Sequence, residues 1–280
     1  MYKKTVTNSS LEFLKDYPYS AKEAVYTPII YRVGLQMPET VPFPSSKGIK
    51  DLAAFVGLSD AAVRTALSRA KSDGSIIEFK DALGKSRYAI APSTFEMGLV
   101  SINRESQPEG FIVAVFSFTK DAESERAVVR ETLKNYGFKR LAQNSYINGR
   151  IDTKGLMEAM KSFGLEKNLY LFHCPDIDDQ DLIQRILSLF DVENRKVMLN
   201  HFYDRMVSFL SEPGISDHDL GRRLLYFGAI YWTVCENGEP PIPIKHLPPD
   251  YPMPKIRKFY TDFIEVNKDK LINYYIEINT

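Results

Sequence analysis

The sequence predicts an α+β protein with more than one domain, and three stretches carry that prediction. Residues 46–90 pair two short helical patterns with a β-hairpin, and residues 111–173 alternate apolar strands with amphipathic helices. From residue 179 onward every long pattern is helical. At about 100–200 residues per domain, a chain of 280 residues holds two domains or three small ones. The expected domains are residues 1–105, 106–176 and 177–280.

The first stretch carries a start or stop signal for each element. A short helix begins near Ser46 and ends at Gly57, a residue type that readily adopts the left-handed conformation after a helix. Ser59 then stands at the N-cap of a second helix, which continues to Gly74. One face of this second helix is apolar, with Val63, Ala66, Leu67 and Ala70. Two strands are predicted next, over residues 76–79 and 86–90, with a turn over 81–85.

The second stretch alternates the two element types. Strands are predicted over 111–118, 138–147 and 169–172, and helices over 122–136 and 153–163. This β-α-β-α-β order predicts an open sheet with its helices on one face. Residues 26–35 fit a short strand or a helix equally well, and both alternatives stay open.

The C-terminal part is predicted to be helical apart from one proline-rich segment. The four expected helices cover residues 179–190, 193–211, 216–236 and 253–277. Between the last two, the segment 239–254 contains seven of the 16 prolines of the chain. Because proline lacks an N–H donor and fixes φ, this segment is expected to be an ordered, extended crossing without helix or central strand.

The composition excludes several classes of protein. With 36 basic and 36 acidic residues the formal net charge is zero, and 44% of residues are hydrophobic, which excludes a disordered chain or a polybasic scaffold. Two cysteines are too few for a disulfide framework, and no apolar run reaches the length of about 18 residues that a membrane span requires. The N-terminus lacks a secretory signal pattern. We therefore expect a cytoplasmic protein without a membrane partner.

The order helix, tight turn, helix and hairpin in residues 46–90 is that of a winged helix-turn-helix. Residues 45–90 hold eight cations and five anions, so a net charge of +3 is hidden within a neutral chain. The cations and hydroxyls of the second helix and of the hairpin suit phosphate and base contacts in duplex DNA. The alternative is a winged helix that binds protein, with these charges only solvated. The candidate DNA-binding residues are Ser59, Asp60, Arg64, Thr65, Ser68, Arg69, Lys71, Lys85, Ser86 and Arg87.

Two separate motifs resemble one family. Residues 57–69 (GLSDAAVRTALSR) and 84–90 (GKSRYAI) resemble the DNA-binding domain of the PaaX family of bacterial repressors of phenylacetate catabolism. The prolines of 239–252 are similar in spacing to that family's C-terminal pattern, with Tyr251 in place of Trp. The resemblance implies a repressor released by a small-molecule effector, a ferredoxin-like (Cas2-like) middle domain and a helical C-terminal domain. The effector that the resemblance implies includes an acyl-CoA. Residues 230–233 lack the polar patch of the family, so if that patch binds the effector, the effector here differs from the family's aryl-acyl-CoA thioester.

A Cas2-like middle domain raises the alternative of a metal-dependent nuclease or RNA-processing protein with an accessory winged helix. Such chemistry requires carboxylates around a divalent cation, and Ser117 stands where the nuclease pattern has Asp at the end of the first strand, with Asp121 beyond it. His173 and Cys174 are adjacent on a strand, so their side chains are expected on opposite faces. We therefore expect no enzymatic activity, no metal and no cofactor.

The effector site is predicted in the C-terminal part. Aromatic side chains would contact an aryl or acyl group, and two arginines on the same helix would meet an anionic headgroup. The candidate residues are Arg222, Arg223, Tyr226, Tyr231, Trp232 and Tyr251. The alternative is that all of them are packing or solvated residues. We also expect a homodimer, which would place two recognition helices in successive major grooves of a near-palindromic operator.

Overall fold

A computed structural model of the protein describes residues 19–34, 37–92, 109–119, 121–149, 151 and 153–280. Two compact units form. The first contains the described residues of 1–101, 199–237 and 252–280, and the second those of 102–198 and 238–251. The C-terminal helices are thus divided between the two units, whereas the sequence predicted a separate third domain. The predicted boundary at residue 105 lies outside the described residues.

The elements of the described residues follow the chain in this order: α1 (Ala21–Gly34), α2 (Ser46–Phe55), α3 (Asp60–Ser72), β1 (Ile76–Lys80), β2 (Ser86–Ile90), β3 (Phe111–Phe116), α4 (Glu123–Asn135), β4 (Lys139–Ala142), β5 (Ser145–Asn148), α5 (Thr153–Ser162), β6 (Leu169–Cys174), α6 (Gln180–Leu189), α7 (Val192–Leu210), α8 (Asp217–Gly238) and α9 (Met253–Asn279). The protein is therefore a mixed α+β structure with small sheets and a helical C-terminal part, as predicted. No helix in the described part of the chain is both long and apolar enough to cross a membrane.

In the first unit, α1, α2 and α3 pack against one another and against the β1–β2 hairpin. The Ser45 hydroxyl accepts a hydrogen bond from the Gly48 N–H at 3.0 Å and caps α2. The Ser59 hydroxyl caps α3 in the same way by accepting from Ala62 N–H at 3.2 Å. The sequence left residues 26–35 open between strand and helix, and the described part of that stretch belongs to α1, with Pro28 inside the helix. The apolar side chains of Ala24, Val25 and Ile29 account for this, because their spacing of one and four residues places them together on the buried side of a helix.

The β1–β2 hairpin has the predicted bounds to within one residue. Its strands pair antiparallel in register from Ile76 opposite Ile90 to Lys80 opposite Ser86. The Asp81 carboxylate closes the turn by accepting hydrogen bonds from the backbone N–H groups of Leu83 and Lys85, each at 2.9 Å. A carboxylate that accepts from its own turn backbone explains why this loop is short and ordered.

The second unit contains a four-stranded antiparallel sheet in the order β4-β5-β3-β6. Its core lies between the sheet and the two helices α4 and α5, with Phe116, Leu133, Leu156 and Met160 fully or almost fully buried. The predicted single strand over 138–147 is wrong, because the chain turns back at Asn144, whose φ is 60°. Asn tolerates this left-handed conformation better than other non-glycine residues, so one predicted strand becomes the hairpin β4–β5.

Residues 239–252 of the proline-rich segment have neither α-helix nor strand, as predicted, and contain the 3₁₀ turn Ile244–His246; residues 253 and 254 already belong to α9. Within the second unit it is attached to the end of β6. Lys245 Nζ lies 2.7 Å from Asp176 Oδ2, and His246 Nε2 lies 3.1 Å from Asp176 Oδ1. The hydrogen bond from Lys245 lowers the pKa of the Asp176 carboxyl. The segment is therefore fixed by side-chain contacts as well as by its prolines.

Candidate nucleic-acid interface

Helix α3 has one buried face and one exposed polar face. Val63, Leu67 and Ala70 are buried, and they follow one another at intervals of four and three residues. The side chains that alternate with them are exposed, and they include Arg64, Thr65, Ser68 and Arg69. The Thr65 hydroxyl donates to Ala61 O at 2.9 Å, which leaves its oxygen lone pairs directed outward as acceptors. The exposed face of α3 thus presents two guanidinium groups and two hydroxyls to solvent.

Among the described residues, the two arginines of this face have no anionic partner. Within the residues that the structure describes, no carboxylate lies within 4.0 Å of Arg64 or Arg69. Guanidinium groups carry donors in a fixed fork that matches phosphate oxygens and the guanine edge. Their full charge and all their donors are therefore available to a partner outside the protein.

Other predicted DNA contacts have partners within the first unit. Asp60 is the first residue of α3, and its Oδ2 lies 3.4 Å from Lys50 Nζ. Lys71 Nζ donates to Glu78 Oε2 at 2.9 Å, and this hydrogen bond raises the pKa of Lys71 and lowers the pKa of Glu78. Both pairs are largely exposed, and exposed ion pairs are weak enough to exchange partners. These residues form the rim of the exposed face of α3.

The hairpin holds the three remaining candidates in different environments. Lys85 is exposed and its Nζ donates to the backbone oxygen of Thr280 at 2.6 Å. The Ser86 hydroxyl accepts from Lys80 Nζ at 2.6 Å. Arg87 was expected as an exposed cation, but it is buried, with 3% of its surface exposed. Its Nε donates to Asp81 Oδ2 at 2.7 Å and its Nη1 to the backbone oxygens of Phe43 and Asn279. Arg87 therefore packs inside the first unit, where its guanidinium forms an ion pair with the Asp81 carboxylate of the turn.

The end of α9 contacts this same region, which the sequence did not predict. Asn279 Oδ1 accepts from the backbone N–H of Ser45 at 2.8 Å, directly before α2. Gly48 faces the same side chain so closely that a Cβ there would lie 2.1 Å from Asn279 Oδ1. Asn279 is itself 1% exposed and donates to Tyr275 O at 2.9 Å. A polar residue at the end of a long amphipathic helix carries no sequence signal for such a contact.

The predicted effector residues of α8 lie in well-packed surroundings. Arg223 is buried, with its Nη2 at 2.6 Å from Glu212 Oε2, and its guanidinium covers the Phe209 ring at 4.8 Å. The Arg222 guanidinium lies 4.2 Å from the Phe55 ring centre, and its Nη2 donates to Asp219 Oδ1 at 2.6 Å. Both arginines thus have anionic partners in this arrangement, Asp219 for Arg222 and Glu212 for Arg223.

The aromatic candidates are also packed. Tyr226 is fully buried with its ring 4.7 Å from that of Tyr19, and burial raises the pKa of its hydroxyl. Tyr231 stacks on Tyr260 at 3.8 Å between ring centres. Tyr251 is buried in the second unit, where burial raises the pKa of its hydroxyl. The side chain of Trp232 lies outside the described part of the structure. Tyr226 and Tyr231 thus stand in the first unit and Tyr251 in the second.

Within the described residues, no three His, Cys, Asp or Glu side chains are grouped as metal ligands are. His173 and Cys174 are the last two residues of β6, opposite Ile112 and Phe111 of β3. Ser117 follows β3, and its backbone oxygen accepts from Asn168 Nδ2 at 3.0 Å. Asp121 is exposed beyond it.

These observations define a two-unit α+β protein in which α3 presents two exposed arginines. No family model matches the sequence. No curated protein matches it. Among solved structures, it is similar to the uncharacterized protein Rv0674 from Mycobacterium tuberculosis, with a TM-score of 0.55 and 14% sequence identity. The match covers 91% of this chain and 98% of the other, so the two chains share a fold over nearly their whole length.

Proposed function

We propose that the protein is a DNA-binding transcriptional regulator and that residues 46–90 form a winged helix with α3 as its recognition helix. The observation that carries the proposal is the exposed face of α3, where Arg64 and Arg69 have no carboxylate within 4.0 Å in the described part of the chain. Helix α3 covers 13 residues, enough to lie in a major groove with its first turns at the base edges. The hairpin β1–β2 then corresponds to the wing, with Lys85 at its exposed turn.

The second unit supports the same assignment at the level of fold. Its element order is β-α-β-β-α-β and its strand order is β4-β5-β3-β6, with every neighbouring pair antiparallel. This order matches that expected of a ferredoxin-like domain, and it supports our proposal of that fold for the second unit. The PaaX resemblance implies this same organisation: a winged helix, then a ferredoxin-like domain, then a helical C-terminal part.

We further propose a repressor that a small molecule releases from DNA and that acts as a homodimer. Support comes from the contacts of α9, because Asn279 bonds Ser45 N–H at the start of α2 and Arg87 on the wing. A ligand that shifts the C-terminal helices would therefore move the elements that hold α3. Coupling of this kind lowers DNA affinity by linkage. A homodimer would place two α3 helices in successive major grooves.

The direct test is selection of binding sites from a random duplex DNA library with the full chain, followed by affinity measurement on the enriched duplex. We expect an enriched sequence with two related half-sites. The variant Arg64→Ala should lose about 1–3 kcal/mol of binding free energy and relax the preference at one base position in each half-site. Arg69→Ala, one turn further along α3, should weaken binding to all sequences alike because we assign it to a phosphate.

The double variant Lys154→Ala/Lys161→Ala supplies the matched control, because it removes two exposed cations from α5 in the second unit. It should bind the enriched duplex like the parent protein. Failure to enrich any sequence at low salt, or equal affinities of Arg64→Ala, Arg69→Ala and the parent, would show that α3 does not enter a groove.

A further inference from the structure

We propose that the second unit has a binding site for phosphate groups, in the groove between the C-terminal half of α4 and strand β4. The groove has a volume of about 640 Å³ and is open to solvent. This volume lies within the range of about 300–1,000 Å³ found for small-ligand sites. Four basic and two aromatic residues line it, together with Gly137: Arg130, Lys134, Lys139, Arg140, Phe138 and Tyr146. Of the two on β4, Arg140 faces α4, whereas the side chain of Lys139, its neighbour on the strand, lies on the other face of the sheet.

The fold brings these cations together from two elements. Arg130 and Lys134 are four residues apart on α4 and share one face of that helix. Arg140 stands opposite Tyr146 in the register of β4 with β5, so the two share a face of the sheet. Tyr146 belongs to the core that α4 covers, and this places Arg140 on the side of the sheet next to α4. β4 is an outer strand of the sheet, which leaves the groove accessible from the edge.

The charges of the groove are only partly neutralised. Arg130 lies 2.9 Å from Glu123 and Lys134 lies 3.5 Å from Glu131, and both carboxylates are about two-thirds exposed. Exposed ion pairs contribute little, so a ligand can compete for these two cations. In the described part of the chain no carboxylate lies within 4.0 Å of Lys139 or Arg140, and no acidic residue lines the groove. Arg130, Lys134 and Arg140 repel one another on this side of the sheet, and a bound anion would relieve that repulsion.

The chemistry of the lining favours phosphate. The C-terminus of α4 carries partial negative charge, which accounts for a cation in its last turn, Lys134, but not for Lys139 and Arg140 on the strand. The guanidinium forks of Arg130 and Arg140 and the ammonium group of Lys134 match the several oxygens of a polyanion. Phe138 and Tyr146, which also line the groove, are buried. Phosphates of this kind occur in a nucleic-acid backbone and in phosphorylated small molecules, and the lining suits both sources.

The test uses the full chain and compares Lys134→Ala/Arg140→Ala with Lys154→Ala/Lys161→Ala. The control removes the same charge from exposed positions of α5 in the same unit. Binding of three probes is measured at low salt: sodium tripolyphosphate, a nucleoside triphosphate and a random-sequence DNA duplex. We expect the groove variant to bind at least one probe about tenfold more weakly than the control, as the loss of two charge-assisted contacts implies.

The probes separate the two sources of phosphate. Weakening confined to the duplex assigns the groove to nucleic acid, and weakening for tripolyphosphate or the nucleotide assigns it to a small phosphorylated ligand. Equal binding of all three probes by the groove variant and the control would overturn the site. Tripolyphosphate binding by Arg64→Ala should equal that of the parent, so the groove and the DNA interface of α3 can fail independently.

Discussion

Arg87 shows how far the role of one side chain depends on its surroundings. In the sequence it is a cation on a wing, next to Lys85 and Ser86. In the structure its side chain is only 4% exposed and forms an ion pair with Asp81. A cation of this kind stabilises the fold, and its removal leaves backbone oxygens of Phe43 and Asn279 without their donor.

The variant Arg87→Met should therefore lower the free energy of unfolding by about 1–3 kcal/mol, the usual cost of leaving buried polar groups unsatisfied. Its affinity for DNA, measured at a temperature where it is folded, should stay close to that of the parent. Urea unfolding and DNA titration on the same preparation measure both quantities. A variant with unchanged stability and much weaker DNA binding would assign Arg87 to the interface instead.

Asp81 makes the hairpin sensitive to acid. The hydrogen bond from Arg87 lowers the pKa of the Asp81 carboxyl in the folded state. A carboxyl with a lowered pKa adds stability above its unfolded pKa of about 3.9, and this stability is lost as the pH falls through the folded value. The parent should thus lose stability as the pH falls from about 5 to about 3.

The variant Asp81→Asn should show a shallower loss of stability over the same pH range, because the group that titrates is absent. Asp73 and Glu78 have pKa values lowered in the same direction, so only the difference between parent and variant measures Asp81. Asp51→Asn, at an exposed position on α2, supplies the control for removing one carboxylate. Identical slopes for Asp81→Asn and the parent would contradict the assigned ion pair.

Among the elements, α2 and α9 form a contact that links the C-terminal part to the proposed winged helix. Gly48 permits it, because a Cβ would lie 2.1 Å from Asn279 Oδ1 and 2.8 Å from Asn279 Cγ. Gly48→Ala should lower the free energy of unfolding by about 1–3 kcal/mol through overpacking. The gain in helix propensity from alanine, about 1 kcal/mol, opposes only part of that loss.

A double-mutant cycle with Asn279→Ala isolates this contact. In the Asn279→Ala background the side-chain atoms that obstruct the new Cβ are absent, so Gly48→Ala should cost less there than in the parent. The coupling free energy should exceed about 0.5 kcal/mol, the range expected for residues in contact. Urea unfolding of the four proteins measures it, and additive effects would mean that α9 does not pack at Gly48.

The elements also show what sequence patterns can and cannot predict. Helix α3 and the β1–β2 hairpin were predictable, because Ser59, Gly57 and the apolar stripe of α3 are local signals. The turn at Asn144 was missed although Gln143, Asn144 and Ser145 interrupt the apolar pattern with three polar residues, a local signal for a turn. Because β4 can pair with β5 only after the chain reverses there, missing the turn gave one predicted strand where the structure has two.

At the scale of the whole molecule, the predicted order of structural types is correct, but the grouping into units is different. Residues 199–237 and 252–280 join the first unit, whereas 238–251 joins the second. Such grouping depends on contacts between residues far apart in the chain, for example Tyr31 Oη donating to Leu224 O at 2.9 Å. The periodicity of either segment does not indicate which distant segment it packs against. Local sequence patterns therefore do not predict how the segments are grouped into units.

The candidate site was predictable in part for the same reason. The exposed face of α3 follows from helix geometry alone, so Arg64, Ser68 and Arg69 stand where the sequence placed them. The effector candidates Arg222 and Arg223 were not predictable as ion-paired residues, because Asp219 and Glu212 meet them only through the fold.

The salt dependence of DNA binding tests the central claim most directly. The affinity of the full chain for the enriched duplex is measured by fluorescence anisotropy over a range of salt concentrations, for the parent and for Arg64→Ala/Arg69→Ala. Each phosphate contact adds about 0.9 to the steepness of log K against log salt, so the parent should show a steep decline. The double variant should bind more weakly and decline less steeply by about one such contact, because we assign Arg69 to a phosphate. A parent protein that binds no duplex at low salt, or a double variant with the parent's affinity and slope, would contradict the account.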